Sequence, residues 1–517
     1  MRSLSQHKGS PSKTSRGPCG ERLLDLVGSD FLGLETMYPT LRGGRRRRCY
    51  LDSAASTLMM GAAHRVALEF LSHYSNSHSE LHYGARIAGS ALSWARQQVL
   101  DLVAAAPAEY TCLFCGSGST AGFNALARMF TVQQPERDTV LVSHMEHHSN
   151  DLPHRQHARR CLRLPLVGRP PRLGGIDLSA LSELLSRERE RVNYVAVSAA
   201  SNATGIMNPF HDIAELAHRV GARVIVDASQ IVAHAPFEAG PTHGEESALD
   251  AVIFSGHKVY APGSPGVIVI KKGLSTQLQP ESMGGGMVEE VHADRYTLRR
   301  NIPERLEAGT PNLVGAVTLG AAVAVLRRIG LQLVHQRTGN LVARTLRGLM
   351  EIVGVTVYGL VDVPRTGIVS FNLADLDHVL VTRILNDYFN IAVRNECFCA
   401  QPYVRDLLHS PFSDPGSSAF EQAGNGQSTG MVRASFGLYS TPSDVDRLLE
   451  AVREVVAKPD YYRAAYNGAG PEKSRRERNV PDTRELFDPS AVLEEQIRVL
   501  DAVHLMHQLD AEHSVVG

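Results

Sequence analysis

Between about residue 90 and residue 275, short runs rich in valine and isoleucine alternate with stretches of helical period. "EYTCLFC" (109–115), "DTVLVS" (138–143), "NYVAVSAA" (193–200), "ARVIVDAS" (222–229), "LDAVIFSG" (249–256) and "GVIVIKK" (266–272) read as strands. Their apolar positions are nearly continuous, the pattern of strands covered on both faces. The intervening "STAGFNALARMF" (119–130), "DLSALSELLSRERE" (177–190) and "HDIAELAHRV" (211–220) read as helices, the second with Asp177 as N-cap. Strands separated by helices predict an α/β domain around a buried, mostly parallel sheet. Such sheets bind ligands at the carboxyl ends of their strands.

The pattern changes near residue 320. One long helix begins at 320–328 and continues beyond Leu331. Predicted strands at 356–360, 367–371, 391–394 and 432–436 then alternate with helices at 378–389 and 443–457. This predicts a smaller second α/β domain, completed by the N-terminal segment. A polar loop, "HSPFSDPGSSAFEQAGNGQSTG" (409–430), interrupts it. Past Pro459 the chain is polar until Leu493, Ile497, Leu500 and Val503 recur at helical spacing, which predicts a final amphipathic helix. The division expected is an N-terminal tail (1–48), a large domain (49–320), a small domain (321–458) and a C-terminal extension (459–517). Within the first 20 residues Leu4 is the sole large aliphatic side chain, so a disordered tail is expected rather than an amphipathic targeting helix. The arginine run at 45–48 reads as a solvated turn.

Composition narrows the partners. The 517 residues carry a formal net charge of -1, with 43% hydrophobic and 21% charged side chains. That balance argues against a general nucleic-acid binder. No apolar run approaches membrane-spanning length, so no membrane association is expected. Seven cysteines are too scattered for a disulfide framework, which fits a reducing, cytoplasmic compartment. Cys112 and Cys115 have metal-site spacing but lie within a strand with no second pair, so buried structural thiols are expected and no metal.

Five segments just past strand ends carry candidate chemistry. "GSGSTAG" (116–122) turns from strand into helix, and its backbone N–H groups, with Ser119 and Thr120, suit an anion. It also satisfies a dinucleotide fingerprint, but Asp138 opens the next strand instead of ending it, so a phosphate on a smaller cofactor fits better. "MEHHSND" (145–151) presents His147, a flat side chain able to stack on a ring. "SNATG" (201–205) offers the amide of Asn202. "VIVDASQ" (224–230) drives Asp227 to the end of a buried strand with Gln230 nearby. "FSGHK" (254–258) ends on Lys258, whose amine burial would make nucleophilic. Each segment alone has an ordinary reading as a turn, a loop histidine, an ion pair or a surface lysine. Together they form the set that holds pyridoxal phosphate: an anion cradle, a stacking ring, an acid for the pyridine nitrogen and a lysine for a Schiff base.

In order along the chain, "YLDSAAS", "GSGSTAGFN", "MEHHSN", "SNATG", "VDASQ", "FSGHK", "EAGTPN", "RNECFCAQP" and "VRASFGLYSTPSDVDRL" resemble class V, fold type I enzymes dependent on pyridoxal phosphate. Within that class they resemble the cysteine desulfurase and selenocysteine lyase group. The resemblance implies a large domain on a mostly parallel, seven-stranded sheet and a smaller C-terminal domain. It implies that Lys258 forms the Schiff base, Asp227 holds the pyridinium proton, Gln230 contacts the ring oxygen and His147 stacks on the ring. Ser119, Thr120, Ser255 and His257 would bind phosphate, with Asn202 lining the site. Thr310 would reach the phosphate of a partner subunit, implying a homodimer, and Arg433 would grip the substrate carboxylate.

The segment "VRNECFCAQPYV" (393–404) carries the remaining expectation. Related desulfurases place one nucleophilic cysteine directly before Ala-Gln-Pro, here Cys399. The resemblance implies removal of sulfur from L-cysteine, or a related amino acid, to give alanine and a persulfide that a sulfur-acceptor protein receives. Arg394 would help ionise the thiol. Glu396 stands where the family usually has glycine, and Cys397 where it has histidine. Ser79 replaces a basic residue in the early loop at 76–84. A C–S lyase, an epimerase or an aminotransferase shares the lysine without needing the thiol.

Overall fold

The computed structural model describes residues 17–408, 429–467 and 480–514. The expected tail at 1–16 and most of the polar loop at 409–430 lie outside the described residues. Seven strands form the central sheet: β1 (Tyr110–Cys115), β2 (Thr139–Ser143), β3 (Arg160–Leu164), β4 (Val192–Ser198), β5 (Arg223–Asp227), β6 (Ala251–Ser255) and β7 (Gly266–Lys271). Their spatial order is β1-β7-β6-β5-β4-β2-β3, and only β7 pairs antiparallel with its neighbours.

Alternation along the strands explains why both faces are apolar. Helices α1 (Gly17–Gly28) and α2 (Tyr83–Leu102) belong to the layer on one face, where Cys112, Phe114, Val224, Val226, Val252 and Phe254 are buried. Helix α3 (Gly118–Gln133) covers the other face, packing Phe123, Leu126 and Phe130 against Leu113, Ile225, Ile253 and Ile268. Helices α4 (Leu178–Arg187), α5 (Phe210–His218) and α6 (Leu313–Ile329) join the first layer. Asp177 caps α4, accepting from the N–H groups of Ser179 and Ala180 at 3.0 Å, as the sequence predicts.

The expected long helix is two. Gly330, at φ +93°, separates α6 from α7 (Leu331–Met350), and the axes meet at 83°. The break lets one continuous chain serve both domains. Leu331 and Val334 pack on the large-domain core, while Leu341, Leu346 and Leu349 pack on the small one. The small domain contains strands β8 (Val355–Val357), β9 (Ile368–Leu373) and β10 (Val432–Ser435) in one antiparallel sheet, backed by α8 (His378–Phe389) and α9 (Pro442–Ala457).

The N-terminal segment is built into both cores. Leu24, Val27 and Phe31 are buried in the large-domain core, so residues 17–48 are not a tail. The arginine run is a short strand, Arg45–Arg47, paired with Met37–Pro39, and Arg47 bridges Glu35 at 3.0 Å and Asp444 at 3.8 Å. Further on, Leu51 donates to Ala392 O at 2.9 Å and accepts from Ser435 N–H at 2.8 Å. That pairing carries Asp52 to the cleft between the domains. The final helix α10 (Pro489–Ser514) forms as predicted, but Leu493 (60% exposed) and Leu500 (67%) face solvent. No single helix among the described residues is long and apolar enough to cross a membrane.

Candidate active site

The carboxyl ends of β1, β2, β4, β5 and β6 share one edge of the sheet, and each of the five predicted loops leaves from it. Beyond β1 the chain turns at Gly118 (φ +60°) into α3. A Cβ at Gly118 would lie 2.8 Å from Ser255 Oγ, so glycine is what lets β1 and β6 converge here. Ser255 Oγ accepts from Ser119 N–H at 2.8 Å and donates to Ser119 Oγ at 2.9 Å. Gly116 and Ser117 are open to the cleft, so hydroxyls and N–H groups at the start of a sixteen-residue helix face a pocket suited to an anion. Exposed Thr120 pairs with Ser149 at 2.7 Å, bringing a hydroxyl from the second loop to the same rim. His257 lies apart from this cluster's hydrogen bonds: its Nδ1 faces Ser56 Oγ at 3.2 Å, and its carbonyl accepts from Thr57 N–H at 3.2 Å.

Asp227 closes β5 and is buried, accepting from Ser229 N–H at 2.9 Å. Burial pushes its carboxyl above the usual range, against the opposing pull of Lys258. Lys258 caps the single turn after β6, and burial lowers its ammonium pKa despite Asp227. Both shifts favour the neutral forms, which suits an amine that must act as a nucleophile. Gln230 is fixed by donation to Ala54 O at 2.8 Å.

His147 accepts from Ser149 N–H at 3.0 Å through Nδ1, which leaves the ring proton on Nε2. Burial, then Lys258, drops its pKa to about 3, so the ring stays neutral. Under it lies a buried polar network that the sequence reading missed. Glu146 accepts from Asn150 Nδ2 at 2.5 Å, from Ser198 N–H at 2.9 Å and from Ser198 Oγ at 2.5 Å, and also from Ser143 Oγ. Asn150 Oδ1 then meets His154 Nε2 at 2.9 Å, and His154 Nδ1 meets the Tyr194 hydroxyl at 2.8 Å. These bonds fix the turn that presents His147.

The small domain supplies the opposite wall. Arg433, on β10, is 3% exposed. Its Nη1 donates to Asn202 O at 2.8 Å and its Nη2 to Asp52 at 3.3 Å, while Nε has no partner among the described residues. Cys399 is exposed in the cleft, on a loop whose nearest anchors are His148 N–H to Cys399 O at 2.7 Å and Asn202 Nδ2 to Phe398 O at 2.6 Å. Asn202 spends one of its two amide hydrogens on this loop, which leaves the other and Oδ1 to face a ligand. Cys399 directly follows Phe398, whose ring lies 4.6 Å from the Arg433 guanidinium carbon, and a thiolate there would oppose the lowering of both the Lys258 and Arg433 pKa values by burial. Arg394 exchanges main-chain bonds with Arg433 at 2.8 and 3.0 Å, which places it on the strand edge beside the thiol-bearing loop. Cys397 is half-buried, directs its thiol to Thr429 O at 3.3 Å, and is pushed up to about 11 by burial.

Of the expected residues, Ser119, Thr120, His147, Asn202, Asp227, Gln230, Ser255, His257, Lys258, Cys399 and Arg433 line or border this cleft. Thr310 does not join their hydrogen bonds. It is exposed just before α6, and its neighbours Gly309 and Pro311 line a separate cleft of about 880 Å³ with His78, Arg86, Arg96 and Arg299.

The aminotransferase class-V family description matches residues 49–448. The chain belongs to that family. Among class-V proteins it is 32% identical over 413 residues to a cysteine desulfurase of Dickeya dadantii (strain 3937), covering 78% of this chain and 91% of the relative. It is 31% identical to a cysteine desulfurase of Yersinia pseudotuberculosis, covering 78% and 93%. Two solved class-V folds match with a TM-score of 0.69: a cysteine desulfurase from Thermococcus onnurineus (28% identity; 79% of this chain, 95% of that one) and one from Escherichia coli in an S-sulfonic acid form (27%; 84% and 98%). The C-terminal extension lies beyond the class-V match.

Proposed function

We propose that this chain is a pyridoxal-phosphate-dependent cysteine desulfurase, converting L-cysteine to alanine and carrying the sulfur as a persulfide on Cys399. The observation that carries the proposal is the meeting of Cys399 with Lys258 and Arg433 in one cleft, on a loop tied to the His147 turn. The residues fit the cofactor. A cradle held open by Gly118 suits its phosphate, Asp227 suits its pyridine nitrogen and Lys258 suits its aldehyde. When bound, pyridoxal phosphate supplies an electron sink for the carbanion that α-deprotonation leaves.

The other roles fall to the chain. Arg433 binds the substrate carboxylate through Nε and the hydrogens left free on its fork. Lys258, biased to the neutral amine by burial, accepts the α-proton and returns protons to the carbon skeleton. The Cys399 thiolate attacks the substrate sulfur. The carbon–sulfur bond breaks, a sulfur–sulfur bond forms, and alanine leaves with the hydrogen that the thiol gave up. A sulfur-acceptor protein, or a reductant releasing sulfide, then empties Cys399. Two copies of the chain act as a homodimer in the cytoplasm, with Thr310 of each completing the other's phosphate site.

Purified protein given pyridoxal phosphate and L-cysteine should form alanine and, with a reductant, sulfide in equal amounts. Cys399→Ala should abolish both, and Lys258→Ala should remove the visible absorbance of the bound cofactor. Undiminished alanine and sulfide from Cys399→Ala would mean a lyase without persulfide chemistry.

A further inference from the structure

Three residues close a ring beside Cys399. Arg433 Nη1 donates to the carbonyl of Asn202 at 2.8 Å. The Asn202 side-chain amide donates to the carbonyl of Phe398 at 2.6 Å. The Phe398 ring in turn lies beneath the Arg433 guanidinium, 4.6 Å from carbon to ring centroid. Phe398 is 6% exposed and packs with Met145, Tyr403 and Met431. The ring therefore joins a guanidinium on β10, the loop after β4 and the thiol-bearing loop.

The backbone here is held in an unfavourable form. Glu396, Phe398 and Cys399 all have left-handed φ values, +81°, +52° and +56°. For a bulky residue such as Phe398 that conformation persists only where surrounding contacts impose it. Met431 N–H to Glu396 O at 3.1 Å and Ala400 N–H to Cys397 O at 2.8 Å hold the loop's own turn. His148 holds the far side, through its N–H to Cys399 O at 2.7 Å and its Nε2 from Gln401 N–H at 3.4 Å. The Phe398 side chain touches Arg433 by a cation–π contact that buried surroundings strengthen.

The geometry points to Phe398 as a positioning residue that couples occupancy of the Arg433 carboxylate site to the placement of the Cys399 thiol. The inference rests on the reading of Arg433 and Cys399 given above. Arg433 is held between Asn202, Asp52 and Phe398, with Nε unpaired. A carboxylate arriving at Nε redistributes those contacts. A shift of the guanidinium alters its contact with the ring on which it lies, and Phe398 is the residue directly before Cys399. A substrate bearing a carboxylate thus sets the nucleophile's geometry, whereas an amine lacking one does not.

The test uses full-length protein loaded with pyridoxal phosphate and reads the rate at which iodoacetamide alkylates Cys399, located by mass spectrometry. L-Alanine, which carries the carboxylate, should change the wild-type rate several-fold, and ethylamine should not. Phe398→Leu keeps an apolar side chain of somewhat smaller volume and loses the aromatic face. It should stay cooperatively folded, melting a few degrees below wild type at most, and keep bound cofactor but lose the alanine response, with kcat for L-cysteine falling by up to about 100-fold and KM changing far less. Phe398→Tyr, which retains the ring face, should restore both. An alanine response in Phe398→Leu equal to wild type would overturn the inference, since simple shielding of Cys399 by bound alanine needs no Phe398. No alanine response in the wild type would overturn it as well. Failure of the desulfurase reading shows separately, as absence of alanine and sulfide from L-cysteine.

Discussion

At the scale of single residues, the site is a set of charges held near neutrality by burial. His147, Lys258 and Asp227 are each pushed toward their uncharged forms, and so is Glu146, which touches none of the proposed chemistry directly. Burial raises Glu146 to about 7 from 4.5, against the four hydrogen bonds that favour its anion. The sign follows from linkage. Below pH 4.5 the carboxyl is protonated in both folded and unfolded chains. Between 4.5 and 7 the unfolded chain ionises first, so stability falls as pH rises, by about 3 kcal/mol once the folded group has also ionised. Glu146→Gln removes that titration and keeps an acceptor for Ser198 N–H, at a pH-independent loss where its NH2 replaces the oxygen that accepts from Asn150 Nδ2. The variant should therefore gain stability relative to wild type between pH 5 and pH 7.5, read by urea denaturation at each pH. A constant difference across that range would show that Glu146 keeps an ordinary pKa. The network also shows a limit of sequence reading. Glu146 and His154 look like surface polar residues, because nothing local reveals that Ser198 and Tyr194 arrive from β4 to bury them.

At the scale of elements, the turn from β1 into α3 is where local sequence and site coincide most closely. Gly118→Ala should weaken retention of pyridoxal phosphate by at least about tenfold, the loss of one charge-assisted hydrogen bond. The added methyl would meet Ser255 Oγ at 2.8 Å and also force a residue with a side chain to φ +60°. Equilibrium dialysis checks this, and unchanged retention would mean the phosphate sits elsewhere. The elements that were legible were those whose own pattern decides them. Strands β4, β5 and β6 are unbroken apolar runs, and α8 begins and ends where its apolar period does. Strand β3 was missed because "RCLRL" is half-buried at the sheet edge and alternates arginine with apolar residues, giving no continuous run. The Gly330 break was missed because leucine-rich helical sequence flanks it on both sides. The region 17–48 was missed because its burial depends on partners far along the chain. The Arg433–Asn202–Phe398 ring was hidden for the same reason: its members come from three separate segments, and two of its links end on main-chain carbonyls.

At the scale of the whole molecule, the question is whether one chain makes a complete site. Helix α2 packs one side against α6, yet Tyr83 is 80% exposed and Ile87 38% exposed. The adjoining cleft carries both signs of charge, Arg86, Arg96 and Arg299 with Glu80, Glu304 and Glu307, and Thr310 stands at its rim away from the Lys258 cluster. An exposed face bearing Tyr83 and Ile87 beside a cleft of mixed charge would suit the proposed twofold interface, in which each subunit offers Thr310 to the other's phosphate. This arrangement makes a complementation prediction that a monomer does not. Thr310→Ala should lose activity when pyridoxal phosphate is limiting, and Lys258→Ala should be inactive at any concentration. In a mixed dimer of the two variants, one site combines both defects and the other combines an intact Lys258 with an intact Thr310. Co-expressed, differently tagged subunits should therefore yield a heterodimer with roughly half the wild-type activity, because one of two symmetric sites is whole. Activity no greater than the mean of the two homodimers would place Thr310 in its own subunit's site, or outside any site. Either outcome decides between sites shared across the α2 face and sites complete within one chain.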